Sequence, residues 1–215
     1  PGVRFGSDVA SAGDVDGDGY EDLIVGSMFY ADGQASEGAA FVFHGGPGGL
    51  GGATFADADT VLQSNQAQAR MGVAVGSAGD VNGDGYGDVI VGAGGWESQG
   101  QAADFEEGGA FVFLGGPGGI PSGGLEVASA ILEGDVQNAR LGSSVSSAGD
   151  VNGDGYDDVI AGGHLFQSIG DESREGVAMI FLGGPDGVAN AGFATAHAVL
   201  QGNQSDAFLG NAVAG

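Results

Sequence analysis

The sequence contains no cysteine and no lysine, and four arginines face 29 acidic residues, for a formal charge of −25. Without cysteine, disulfide bonds, thiol chemistry and cysteine-bound zinc are excluded. The scarcity of basic side chains disfavours nucleic acid and anionic membrane surfaces as partners, because little in the chain could neutralise phosphates. No apolar run is long enough to span a bilayer. Such an excess of carboxylates suits the binding of cations, a salty medium, or both.

Glycine, in contrast, makes up 48 of the 215 residues. It lies in turns between short apolar runs, without the Gly-x-y period of collagen. Helix signals are absent, and the apolar share of 42% is enough for a folded core. The composition therefore predicts an all-β protein with many tight turns.

The chain repeats itself three times, as "RFGSDVASAGD", "RMGVAVGSAGD" and "RLGSSVSSAGD", from Arg4, Arg70 and Arg140. The repeats predict units at residues 1–69, 70–139 and 140–207, with 208–215 opening a fourth. Each unit is predicted to hold four short antiparallel strands, which is typical of a propeller blade. In the first unit the strands are predicted at residues 5–12, 23–27, 39–44 and 60–63. A further strand at 209–214 is predicted to begin the fourth unit, and variable loops at 28–37, 94–107 and 163–175.

Each predicted blade carries an acidic loop, which in the first copy reads "DVDGDGYEDLIVG". Oxygen donors stand at loop positions 1, 3, 5 and 9, glycine at position 6, and a tyrosine that offers its carbonyl at position 7. Alternating oxygens on a tight loop suit Ca²⁺, which takes six to eight of them, better than Mg²⁺. We expect three Ca²⁺ sites, one per repeat. Their predicted ligands are Asp14, Asp16, Asp18, Tyr20 and Asp22; Asp80, Asn82, Asp84, Tyr86 and Asp88; and Asp150, Asn152, Asp154, Tyr156 and Asp158.

These loops differ from the EF-hand, whose twelfth position is a bidentate Glu. Here that position is Val25, Val91 or Ala161, so the ninth-position Asp must complete the shell. In the third copy we expect Asp158 to be the ligand and Asp157 to face solvent. The alternative, that Asp-Gly and Asn-Gly pairs only form turns, does not account for three copies with the same donor spacing.

The stretch "FGSDVASAGDVDGDGYEDLIVGS" resembles the FG-GAP repeat, the blade unit of the integrin α-subunit propeller and of many bacterial secreted proteins. The resemblance implies a calcium-binding β-propeller, usually of seven blades. It also implies ligand recognition or cell adhesion at an extracellular or cell-surface location, here in a secreted protein of bacterial type. Three repeats are too few to close a ring. The chain is therefore expected to be a slice of a longer propeller, or to self-associate through open blade faces or its terminal strand.

Other residues carry weaker signals. Arg4, Arg70 and Arg140 share one repeat position, which indicates either a basic patch or, as we favour, a bridge to the adjacent blade. His164 and His197 have no nearby Ser or Cys arranged as a nucleophile, and His44 is interpreted as a packing or rim residue. Trp96 and Phe105 form either a ligand contact or the anchor of their own loop.

The sequence favours a non-enzymatic module that binds a protein or glycan ligand, which the sequence does not identify. Two alternatives remain. The chain could be a structural subunit of an extracellular filament or coat, or the propeller portion of a secreted hydrolase whose catalytic part lies elsewhere.

Overall fold

A computed structural model of the chain describes residues 5–50, 54–98, 105–167 and 174–215. These residues contain twelve β-strands and two short 3-10 helices, at Phe55–Asp57 and Leu125–Val127. No helix in this part of the chain could cross a membrane. The regular secondary structure of these residues is thus almost entirely β, as the composition predicts.

The strands form three sheets of four antiparallel strands, each ordered by sequence from one edge to the other. They are propeller blades, which confirms the predicted fold class. Blade 1 consists of β1 (Val9–Gly13), β2 (Asp22–Ser27), β3 (Ala39–Phe43) and β4 (Thr60–Gln63). Blade 2 consists of β5 (Ala74–Gly79), β6 (Asp88–Ala93), β7 (Gly109–Phe113) and β8 (Ala130–Glu133). Blade 3 consists of β9 (Ser144–Gly149), β10 (Asp158–Gly163), β11 (Val177–Phe181) and β12 (Ala198–Gln201).

The antiparallel order separates the loops of each blade between two ends. The acidic loop joins the first and second strands at one end of the blade. The connection between the third and fourth strands, which contains Pro47, Pro117 or Pro185, lies at that same end. The segment between the second and third strands lies at the opposite end, with the connection to the next blade. The first strands β1, β5 and β9 lie side by side, so β4, β8 and β12 form the far edges.

The hydrophobic core lies between blades. Leu62 of blade 1 and Leu132 of blade 2 are fully buried against the following blade, whereas the equivalent Leu200 of blade 3 is 51% exposed. Ile160 and Ile180, on the same face of blade 3, are only partly buried. Blade 3 therefore presents the kind of apolar face that blades 1 and 2 bury.

A glycine near the end of the second strand lets adjacent blades approach closely. In each blade, a Cβ at this position would lie about 2 Å from a carbonyl oxygen of the following unit, closer than any side chain tolerates. The three glycines and their contacts are Gly26 with Gly72 (2.1 Å), Gly92 with Gly142 (1.9 Å) and Gly162 with Gly210 (2.2 Å).

The strand predicted at 209–214 is absent. Leu209 instead makes one isolated parallel bridge to Gly176, as Met71 does to Gly38. Phe208 also has a positive φ of 51°, close to the 53° of Arg140 at the same repeat position. The segment thus enters as the earlier units do, but the described chain offers no second strand with which it could form a ladder.

The first strand of blade 1 is also shorter than predicted, starting at Val9 rather than at Phe5. Gly6 has a φ of +86°, and the amides of Gly6 and Ser7 both donate to the carbonyl of Gly26. This turn takes residues 5–8 out of the ladder.

Candidate metal centre

The first aspartate of each acidic loop organises the loop backbone. Asp14 accepts hydrogen bonds from the amides of Gly17 (2.8 Å) and Asp18 (3.0 Å) on Oδ1, and from Gly19 (2.9 Å) on Oδ2. Asp80 and Asp150 accept the same three bonds in their loops. In the third loop the bond from Gly155 is the main cause that lowers the pKa of Asp150. The three loops therefore share one backbone conformation.

The side chains at loop positions 3 and 5 each accept a hydrogen bond from the backbone amide two residues later in the chain. Asp16 Oδ1 accepts the amide of Asp18 at 3.0 Å, and Asp18 Oδ1 accepts that of Tyr20 at 2.9 Å. The pairs Asn82–Asp84 and Asn152–Asp154 repeat the pattern. These hydrogen bonds hold both side chains against the loop backbone.

The ninth aspartate is buried and clamps the loop to the turn that follows the third strand. Asp88, with no exposed surface, accepts the amide of Val81 at 2.8 Å on Oδ2 and that of Gly115 at 2.9 Å on Oδ1. Asp22 and Asp158 make the equivalent two bonds. Burial raises the pKa of Asp88 to about 6, against the lowering effect of these amides, and burial also raises the pKa of Asp22. A carboxylate has about four acceptor sites, so two amides leave room for a cation.

The first loop brings three carboxylates together. One oxygen from each of Asp14, Asp16 and Asp18 lies within 4.8 Å of the others. All the donors are hard oxygens, and none of the ion pairs within the described residues joins an arginine to these loops. The set fits Ca²⁺, which prefers carboxylate and carbonyl oxygens.

In the second and third loops an amide replaces the third-position carboxylate. Asn82 donates its side-chain amide to Asp84 at 2.9 Å, and Asn152 donates to Asp154 at 2.8 Å. These loops thus carry one negative charge fewer than the first, and their asparagine would have to contribute its amide oxygen.

Two contacts at the loops escape sequence reasoning, because both partners are distant in sequence. Nδ1 of His44, which follows β3, lies 3.2 Å from Oδ2 of Asp16. The ring of Tyr86 lies against Gly17 of the preceding loop, where a Cβ would come within 2.6 Å of the ring. Tyr86 therefore also connects adjacent loops, and His44 stands beside the first acidic loop.

Asp157 does not face solvent, contrary to the sequence-based expectation. Its Oδ2 accepts the amide of Asp80 at 2.8 Å, and its own amide donates to the Asp80 carbonyl at 3.1 Å. Asp157 therefore ties the third loop to the second. Gly87 holds this position in the second loop, where a Cβ would lie 3.0 Å from the amide nitrogen of Asp14.

Arg70 and Arg140 contact the same glutamate, at the end of the blades opposite to the acidic loops. Arg140 forms an ion pair with Glu106 of the preceding blade's loop, and Arg70 lies 4.0 Å from the other oxygen of Glu106. This agrees with a bridging role for Arg140. Arg4 lies outside the described residues.

His164 has a serine neighbour that the sequence did not reveal. Its Nδ1 lies 2.8 Å from Oγ of Ser143. The Ser143 hydroxyl donates to the carbonyl of Arg140. Burial, followed by the charge of Arg140, lowers the pKa of His164.

Trp96 belongs to the core rather than to an exposed ligand contact. It is 6% exposed and packs edge-to-face on Phe111, with ring centroids 5.4 Å apart. Phe105 instead donates its amide to Glu97.

Comparison with known proteins identifies the repeats. The FG-GAP repeat matches residues 5–43, 71–103 and 141–171. The chain belongs to the FG-GAP repeat family. Integrin alpha-3 of Cricetulus griseus is 30% identical over 75% of the chain, and integrin alpha-PS2 of Drosophila melanogaster is 31% identical over 78%. Integrin alpha-5 of Xenopus laevis is 42% identical over 42% of the chain. The alignments span only 14%, 12% and 8% of these relatives, respectively.

Proposed function

We propose that this FG-GAP chain is a calcium-stabilised propeller module that binds protein or glycan partners in adhesion, at an extracellular or cell-surface location and without catalysis of its own. The observation that carries the proposal is the acidic loop, built three times with the same side-chain hydrogen bonds. The similarity to integrin α-chains supports an adhesive role.

The proposal assigns one Ca²⁺ to each loop, bound by oxygens at positions 1, 3, 5 and 9 and by the tyrosine carbonyl. Hydrogen bonds from the backbone amides already hold the side chains in place, so calcium binding needs little rearrangement of the backbone. Without a cation the carboxylates of the first loop repel one another at short range. The units proposed for this role keep the boundaries predicted from the repeats.

The segments between the second and third strands are the proposed ligand surface. They differ in length and sequence among the blades and lie at the end opposite to the acidic loops. Loops on a rigid scaffold commonly carry recognition.

The test is calcium-dependent binding by the whole chain. Beads coated with the chain are exposed to purified extracellular matrix proteins and to a glycan panel, in Ca²⁺ and in chelator. We expect retention of at least one class in Ca²⁺ and its loss in chelator. The absence of calcium-dependent retention from every class would contradict the adhesive role.

A second candidate function, assembly into a filament or coat, is favoured by the apolar face of blade 3. Leu200 is 51% exposed where Leu62 and Leu132 are fully buried. Sedimentation at increasing concentration tests this role. Association that Leu200→Glu abolishes would support it, and a monomer at all concentrations would contradict it.

A further inference from the structure

A buried glutamate lies just before the third strand in every blade. Glu37 and Glu107 have no exposed surface, and Glu175 is 2% exposed. In blade 2, Oε1 of Glu107 accepts the amide of Ser98 at 2.6 Å. The other oxygen, Oε2, is also buried but has no hydrogen-bond partner among the described residues, and the same is true of Glu37 Oε2. A buried charged oxygen without a partner is costly, so each such atom calls for a ligand or a proton.

In blade 2 a second acid lies on the strand next to this glutamate. Glu133 ends β8 opposite Gly109, and the next amide, of Gly134, donates to the Gly108 carbonyl at 3.1 Å. Glu107 and Glu133 therefore lie on neighbouring backbones. Burial, and then the charge of Glu107, raises the pKa of Glu133. The equivalent residues in blades 1 and 3 are Gln63 and Gln201.

Glu133 lines a groove between blades 1 and 2, whereas Glu107 has no exposed surface. The groove has a volume of about 640 Å³, and Glu133, Ser98 and Trp96 are among the residues that line it. Ser98 is also the residue whose amide holds Glu107. Across the groove, Gln66 of blade 1 bonds to both the amide and the carbonyl of Glu97. A small ion could therefore reach Glu133 from this surface, beside the residue that holds Glu107.

No cationic side chain compensates the pair. The ion pairs within 4.0 Å that the described residues form involve neither Glu107 nor Glu133. Two adjacent carboxylates, one of them wholly buried, need either a shared proton or a cation. The hard oxygen donors and the open groove favour a cation of the calcium type.

We propose that blade 2 holds an additional divalent-cation site, with Oε2 of Glu107 and the carboxylate of Glu133 as ligands, at the end opposite to the acidic loops. The ion would join β8 to the segment between β6 and β7, which Glu107 anchors through Ser98. This site is independent of the three loop sites and of the adhesive role, and it is specific to blade 2.

Terbium luminescence tests the site selectively, because Trp96 is the only tryptophan in the chain and lines the groove. Tb³⁺ occupies calcium-type sites, and a tryptophan sensitises its emission only at short range. With selective excitation of tryptophan, we expect emission from the wild type that excess Ca²⁺ displaces. Glu133→Gln, which installs the residue found in blades 1 and 3, should lose this emission while keeping the wild-type circular dichroism spectrum.

Asp84→Ala serves as the matched control, because it removes a ligand from the second acidic loop and should keep the tryptophan-sensitised emission. Calcium titration calorimetry should show one site fewer in Glu133→Gln than in the wild type. Unchanged emission in Glu133→Gln would overturn the proposal. Absence of emission from the wild type would also overturn it and would assign a shared proton to the two acids.

Discussion

The third loop position decides how much negative charge each proposed calcium site carries. Asp16 makes the same backbone bond as Asn82, with the amide two residues later at 3.0 Å in both loops. The two residues therefore accept the same backbone hydrogen bond and differ in charge. Calcium affinity depends on the number of charged ligands, so the first loop should bind more tightly than the other two.

Asp16→Asn should weaken calcium binding at the first loop by roughly tenfold, and Asn82→Asp should strengthen it at the second loop by a similar factor. Each variant gives its loop the third-position residue of the other, so backbone distortion should be small. Titration calorimetry on both variants and the wild type measures the effect. Equal affinities in all three proteins would show that the third position is not a ligand.

Asp88 should make calcium binding sensitive to acid. Its pKa is raised to about 6 by burial, so the folded protein without calcium favours the protonated form. The corresponding stability is fully present below the ordinary pKa of 3.8 and is lost as the pH rises through about 6. Calcium binds only the carboxylate and thus competes with this proton.

Calcium affinity at the second loop should therefore fall about tenfold per pH unit below roughly pH 6 and should be nearly constant above it. Calcium titrations from about pH 5 to about pH 7 provide the measurement. The variant Asp84→Ala removes the second site and should reduce the dependence of the total binding on pH. The same dependence in wild type and variant would rule out Asp88 as its source.

At the scale of the element, the blades differ in whether the following unit covers their last strand. Strand β4 is covered by the following blade, where Leu62 bridges to Gly123 and the Gln63 amide donates to the Gly123 carbonyl at 3.0 Å. Strand β8 is covered in the same way by Ala191. Strand β12 has no such cover among the described residues. Uncovered edges are sites for association.

Substitutions of the leucines at one repeat position test how much this covering contributes to stability. Leu132→Ala, in a fully buried site, should lower the free energy of unfolding by about 2–5 kcal/mol. Leu200→Ala, at the matched but exposed position, should cost less than about 1 kcal/mol. Urea unfolding compares the two. An equally large loss at Leu200 would show that another surface covers β12 in solution.

The elements were the most predictable part of the fold. The alternation of turn glycines and apolar runs located the strands, and β4 has the bounds predicted for it. The predictions that were wrong concern residues whose structure depends on contacts with distant parts of the chain. Leu209 and the residues after it have strand-like sequence, but a strand needs a neighbour. Asp157 seemed free because its partner, Asp80, belongs to a different repeat.

Within the candidate site, the repeated positions of the loop residues follow from spacing within one loop, and their role as calcium ligands stays a prediction. The contacts of His44 with Asp16 and of Tyr86 with Gly17 could not be predicted, since they depend on how turns and blades pack together. The unpartnered oxygen of Glu107 is also invisible in the sequence, where Glu107 stands among other acids of a variable loop. Repeat alignment does give one signal: glutamate recurs at this position in all three units.

At the scale of the whole molecule, the blades depend on contacts between neighbours. The tyrosine and aspartate contacts link consecutive acidic loops, so a cation in one loop should stabilise the next blade as well as its own. Calcium should therefore raise the stability of the array as a unit. The net charge of −25 acts in the same direction, because bound cations reduce the repulsion within the folded chain.

The most direct test of this account is thermal unfolding of the intact chain in calcium and in chelator, followed by calorimetry. A site filled at a hundred times its Kd contributes about 2.7 kcal/mol. Three such sites should raise the Tm of a chain of this size by roughly 15 °C or more. A single cooperative transition that shifts upward in this way would support calcium as the stabilising partner of the blades. The same Tm in calcium and in chelator would contradict it.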